Sequence, residues 1–140
     1  MTEHEFEPHP RAAPEVIAER EALAGKVCTE LERAGLPVYR GDLTGGPYTQ
    51  PGADVHVTPF IDGGVYVDWE AGEDLRSAAL ALLEKGMDLS DPPRLFRHHR
   101  NVLQHMEAAL QGILASAGFE IAQPDPHGHG SMIQVMGHRG

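Results

Sequence analysis

The sequence predicts an α+β fold. The architecture is a two-layer sandwich: an antiparallel sheet of about five strands with helices on one face, in the order α-β-β-β-α-α-β-β. Three observations lead there. Residues 53–70, ADVHVTPFIDGGVYVDWE, set β-branched and aromatic residues on both sides of an Asp-Gly-Gly turn, the local signature of a β-hairpin. Three stretches, 14–34, 73–85 and 92–117, repeat apolar residues at helical spacing. The strands therefore come in bunches separated by helices, the pattern of a layered α+β domain.

Residues 1–13 hold two prolines, several charges and no apolar period. They are expected as a disordered arm ahead of a single domain over 14–136. Pro14 suits the first turn of a helix, where its missing N–H costs nothing. Val16, Leu23, Val27 and Leu31, with Ile17, Ala24 and Cys28 alongside, form the apolar stripe of that helix, and Glu15, Glu19, Glu21, Glu30 and Glu32 take its other faces. Gly35 is read as a left-handed cap and Leu36 as the apolar residue folding back after it. A short strand follows over 37–40. Residues 41–52 carry four glycines and no period, so they read as a long loop into the hairpin.

The hairpin register is argued from burial. A three-residue Asp62-Gly63-Gly64 turn pairs Ile61 with Val65, Pro59 with Val67 and Val57 with Trp69, all on one face. A slip of one residue would turn that face to water. The opposite face then collects His56 with Glu70, Thr58 with Asp68, and Phe60 with Tyr66. Past Trp69, the residues Leu75, Ala78, Ala79, Leu82 and Leu83 build the second helix over 73–85, and Gly86 ends it. Asp91 is the expected N-cap of the third helix and Pro92 its first residue. Leu95, Val102, Leu103, Met106, Leu110, Ile113 and Leu114 line its inner face. It ends Ala117-Gly118-Phe119, echoing Ala34-Gly35-Leu36. Residues 119–122 and 132–136 are strands around the loop 123–131, and 137–140 are expected to fray.

Composition narrows the function classes. A formal net charge of −10 argues against nucleic acid and anionic membrane surfaces as partners, since both are bound through Lys and Arg. No apolar run approaches the roughly 20 residues that span a bilayer. The acidic N-terminus has no secretory pattern, so the cytoplasm is the expected location. With one cysteine, Cys28, no intrachain disulfide can form, and its place on an apolar helix face suits an inert thiol. The G-x-S-x-G, Walker and H-E-x-x-H motifs are absent.

Nine histidines make this the one enriched chemistry-bearing residue type. His99 falls in the apolar stripe of the third helix and reads as a core histidine with a hydrogen-bond partner. His98 and His105, seven residues apart, stand ~10 Å from each other along the helix and cannot share an ion. His127 and His129, in a Pro/Gly loop with Asp125 and His138 near in sequence, form a candidate divalent-metal site. The outer hairpin face, His56, Thr58, Phe60, Tyr66, Asp68 and Glu70, is the candidate contact face, with Phe60 and Tyr66 expected side by side as an aromatic patch.

Gly63-Gly64-Val65-Tyr66-Val67-Asp68-Trp69, together with the later Ala117-Gly118-Phe119-Glu120-Ile121, resembles a family of short acidic α+β proteins of high-GC actinobacteria. These carry a GGVYV-x-W strand and an AGF handover, and the resemblance implies no activity or site residue. The element order also looks like that of secretion-chaperone and related dimeric folds, which is analogy at the level of fold alone. Three functions remain in view. The first is a non-enzymatic domain that binds a protein partner or a second copy of itself. The second is a divalent-metal protein. The third is a small ligand binder or enzyme using the outer hairpin face, with 41–52 as a lid.

Overall fold

Helix α1 (Pro14–Arg33) is the first regular element of the computed structural model, which describes residues 10–44, 50–122 and 132–139. After it come β1 (Val38–Tyr39), a single-turn helix α2 (Gly41–Thr44), β2 (Gly52–Val57), β3 (Val65–Glu70), α3 (Glu73–Glu84), α4 (Arg94–Ser116), β4 (Phe119–Ile121) and β5 (Ile133–His138). The strands form one sheet in the order β1-β2-β3-β5-β4. The α+β class is the one expected. The sheet is mixed rather than wholly antiparallel, because β1 runs parallel to β2. A two-residue strand carries no alternation from which its direction can be read.

One face of the sheet is sealed by two helices. Ala24, Val27 and Leu31 of α1 and Leu110 and Leu114 of α4 close over Ala53, Val55, Val57, Val65, Val67, Ile133 and Val135, all buried. Each larger member of this cluster contributes about 1.5–3 kcal/mol by leaving water. Helix α3 packs chiefly on α4. The helix ends fall where the glycines place them: Gly35 and Gly118 both have a φ of 95°, a left-handed conformation that a side chain would oppose. At the first, the Leu36 N–H returns 3.1 Å to the Leu31 carbonyl. Helix α4 starts two residues later than expected, with Pro93 as its N-cap and no side-chain cap bond. The reason is local, since a residue before proline is driven out of the helical region, and Pro92 precedes Pro93.

Residues 10–12 and 137–138 make ladder contacts of their own. Of the expected arm, residues 10–12 pair with the hairpin loop: the Ala12 N–H reaches the Pro59 carbonyl and the Ile61 N–H reaches the Pro10 carbonyl, each at 2.9 Å. Gly137 and His138, expected to fray, complete β5. A register shift between Glu120 and Ile121 lets Val135 face Ile121 and His138 face Phe119. Three positions separate two residues of β5 that meet inward-facing partners, which is what a bulge does to a strand.

The hairpin keeps its faces and changes its register. Val57 pairs with Val65, Val55 with Val67 and Ala53 with Trp69, so Val57 lies four positions along β3 from its expected partner. An even shift preserves which side chains point inward. Ile61 and Pro59 drop out of the strand pair, and Ile61 is exposed. The wider loop is held by a long-range clamp. Arg20 of α1 donates to the carbonyls of Thr58 (2.8 Å), Phe60 (2.6 Å) and Ile61 (3.3 Å). Thr58 closes the loop from inside, its Oγ1 accepting the Gly64 N–H at 2.8 Å. A Cβ on Gly63 would lie 1.8 Å from that oxygen.

Because one guanidinium satisfies three carbonyls, Arg20→Ala is expected to lower the free energy of urea unfolding by about 2 kcal/mol. Arg20→Lys should recover less than half of it, since an ammonium cannot reproduce the planar fork. A denaturation midpoint unchanged in Arg20→Ala would contradict the clamp.

Candidate metal centre on the outer face of the sheet

Strand alternation that sends Ala53, Val55, Val57, Val65 and Val67 into the core sends Asp54, His56, Tyr66 and Asp68 to the other face. The observed register puts Asp54 directly opposite Asp68 and His56 directly opposite Tyr66. The His56 and Tyr66 rings stack, with centroids 5.8 Å apart and planes at 21°. His56 Nδ1 lies 3.9 Å from Asp54 Oδ1. One ligand atom from each of Asp54, His56 and Asp68 falls within 4.8 Å of the other two.

Backbone contacts fix β2 on its other side. The Gly41 N–H donates to Asp54 Oδ1 at 2.9 Å, and the Val57 N–H donates to Asp42 Oδ2 at 3.1 Å, where β1 has already ended. Asp42 is in turn held by Arg40 at 2.8 Å, and Arg40 also reaches Glu21 of α1 at 3.0 Å. Burial opposes ionisation of Asp42, but the Arg40 hydrogen bonds and the Val57 N–H outweigh it and hold its carboxyl below the usual range.

The cluster itself has no such relief. Like charges opposite each other across a strand pair repel, and among the described residues neither Asp54 nor Asp68 pairs with a Lys or Arg. Arg76 pairs with Glu70 instead, at 3.3 Å. Burial pushes the Asp68 carboxyl up to about 6; the charge of Asp54 adds to this, His56 opposes it and Glu70 adds a little more. Asp68 Oδ1 and His56 Nδ1 are both buried without a hydrogen-bond partner. Orphaned polar atoms of this kind are uncommon in folded proteins, and among the described residues the other is His138 Nδ1.

The residues singled out from the sequence fare differently. His56, Tyr66, Asp68 and Glu70 do lie on the outer face, but His56 faces Tyr66 rather than Glu70, and Asp68 faces Asp54 rather than Thr58. Phe60 is not the strand partner of Tyr66; it lies in the loop, bridged to Arg11, and His56 takes the position opposite Tyr66. Thr58 is spent on closing that loop. His138 points inward, its ring 4.4 Å from that of Phe119 and its Nε2 donating to the Ala117 carbonyl at 3.0 Å. His127, His129 and Asp125 lie outside the described residues. His99 is half-buried beside α3, and burial first, then the Arg76 charge, lowers its pKa. Burial likewise raises the Cys28 thiol, which leaves it a poor nucleophile.

Asp54 is the residue the sequence reading missed. The expected register ran it past the end of the hairpin, yet the D-x-H spacing of Asp54 and His56 already places the two on one strand face. No family model, no curated protein and no solved structure matches the chain. Among the described residues no helix is long and apolar enough to cross a membrane.

A carboxyl whose folded pKa of about 6 lies above its ordinary 3.8 penalises folding once ionised. The penalty is complete above pH 6 and disappears as pH falls toward 4. In metal-free protein, Asp68→Asn should therefore raise stability at pH 7.5 by about 1–2 kcal/mol, reduced from the full shift because remaining solvent contact screens the charge. The gain should vanish at pH 4. Destabilisation by Asp68→Asn at pH 7.5, measured by thermal melts in chelator, would contradict this placement.

Proposed function

We propose that the protein binds a divalent metal ion through Asp54, His56 and Asp68. One observation carries the reading: three ligand-bearing side chains converge within 4.8 Å, and two of their polar atoms are already buried and unpartnered. An ion there would neutralise the Asp54–Asp68 repulsion and satisfy both orphaned atoms. Bond lengths of roughly 2.0–2.2 Å require only a small inward rotation of the three side chains.

Two carboxylate oxygens and an imidazole nitrogen make a hard-to-borderline donor set, suited to Zn²⁺ or Mn²⁺ and unsuited to Cu(I) or iron–sulfur clusters, which take thiolates. Three protein ligands leave further positions for water or a small ligand, the arrangement of an open site rather than a closed structural one. The Tyr66 ring stacked on His56 restricts the plane of the imidazole.

The test is calorimetric titration of the tag-free full chain with Zn²⁺ and Mn²⁺. One site per chain is expected. Affinity should fall about tenfold between pH 7.5 and pH 5 from protonation of Asp68 alone. His56→Ala and Asp68→Ala should each lose at least tenfold, and the double variant His127→Ala/His129→Ala should bind as the parent does. Absence of a one-to-one site, or loss of binding in the loop double variant with His56→Ala unaffected, would overturn the reading.

A further inference from the structure

A second surface lies away from the sheet, on the helical hairpin of α3 and α4. Between the two helices runs a groove of about 450 Å³ whose floor includes Leu80, Leu83, Phe96 and Leu103, with Arg76 and Arg100 at its edges. Leu80 and Leu83 are 54% and 46% exposed, and the neighbouring Leu89 and Leu95 are exposed as well. Four of the nine large apolar residues exposed among the described residues thus fall on α3, α4 and their connection. Apolar surface gathered in this way is the usual mark of an interaction site.

Charge says what fits it. The protein carries a net charge of −10, yet the first two turns of α4, RLFRHHR, hold Arg94, Arg97 and Arg100, and no acidic residue follows on the helix until Glu107. All three arginines are exposed, and none makes an ion pair among the described residues. The carboxylates of α3 and its connection, Glu73, Asp74, Glu84, Asp88 and Asp91, are not part of the groove's lining, whose charged groups are Arg76 and Arg100, so a segment seated there meets cations first. A long polyanion such as nucleic acid would meet both the acidic remainder of the surface and a floor of carbon that offers its phosphates nothing. A short amphipathic segment meets only the groove and its rim.

We infer that the α3–α4 groove docks an acidic amphipathic helix of a partner protein, its leucine-type side chains entering the groove and its carboxylates facing Arg97 and Arg100. This is the helix-in-groove mode, with anchors at i, i+3, i+4 and i+7. The inference is independent of the metal centre, which lies on the other side of the sheet from α4.

The probe is a synthetic fluorescent 18-residue peptide with Leu at those anchor positions and Glu at most others, titrated with the full chain and read by anisotropy. Two controls are a scrambled version and one with Lys in place of Glu. The acidic amphipathic peptide is expected to bind with micromolar affinity and to weaken as salt rises. It should lose at least tenfold against Leu80→Glu, a change at an exposed position that leaves the core intact, and against Arg97→Glu/Arg100→Glu. Chelator should make no difference, which separates this result from the metal reading. Equal affinity for scrambled or basic peptide, tighter binding to an oligonucleotide or to anionic phosphatidylserine vesicles, or an unchanged affinity in either variant would overturn the inference.

Discussion

The pairing of β2 with β3 is the constraint on which the core and the outer face both depend. Side-chain alternation in a strand is strict, so placing Val55, Val57, Val65 and Val67 under α1 and α4 leaves Asp54, His56, Tyr66 and Asp68 nowhere to go but the opposite face. A slip of β2 by one residue would bring the Asp54 carboxylate and the His56 imidazole beneath Leu31, Leu110 and Leu114, and burying an unpaired charge there would cost far more than the valines regain. The apolar core therefore selects the geometry of the outer-face cluster without any local preference for it.

Position along the pair is set from outside it. Arg20 reaches across from α1 to three loop carbonyls, residues 10–12 add a short ladder to the same loop, and Asp42 takes the Val57 N–H. These contacts hold the C-terminal end of β2, while the Gly41 N–H holds Asp54 itself. The cost is visible at Asp68, which is half-buried opposite another carboxylate and, among the described residues, pairs with no Lys or Arg. A structure that keeps such a penalty while neutralising Asp42 with Arg40 a short distance away distinguishes the two acids by role. Asp42 is an anchor, and Asp68 is the carboxylate that the proposed ion would take.

How much of this could be read from the residues depends on the range of the interaction involved. The helices follow from the period of residues such as Val27 and Leu31 or Leu110 and Leu114, and their ends from Gly35 and Gly118, all signals confined to a few turns. The faces of the hairpin were legible too, because alternation survives an even shift of register. The register was not. The loop that accompanies it is held by Arg20, whose partners lie 38, 40 and 41 residues away in sequence, and no window on the hairpin contains that residue. Asp54 was missed for that reason, and Phe60 was placed beside Tyr66 for the same one. The direction of β1 and the inward turn of His138 depend on a two-residue pairing and on a bulge, neither of which leaves a pattern in composition or periodicity.

Taken together, the sheet offers a small polar site on one side while the helical layer offers an apolar groove on the other, with Arg76 at the groove's edge paired to Glu70 at the end of β3. The most direct test of the account is a crystal structure of the Zn²⁺-loaded protein with anomalous data collected at the zinc edge. The account requires a single strong anomalous peak bonded to His56, Asp54 and Asp68, with Val57 still opposite Val65. A peak ligated elsewhere, or a hairpin paired so that His56 faces Glu70, would contradict it.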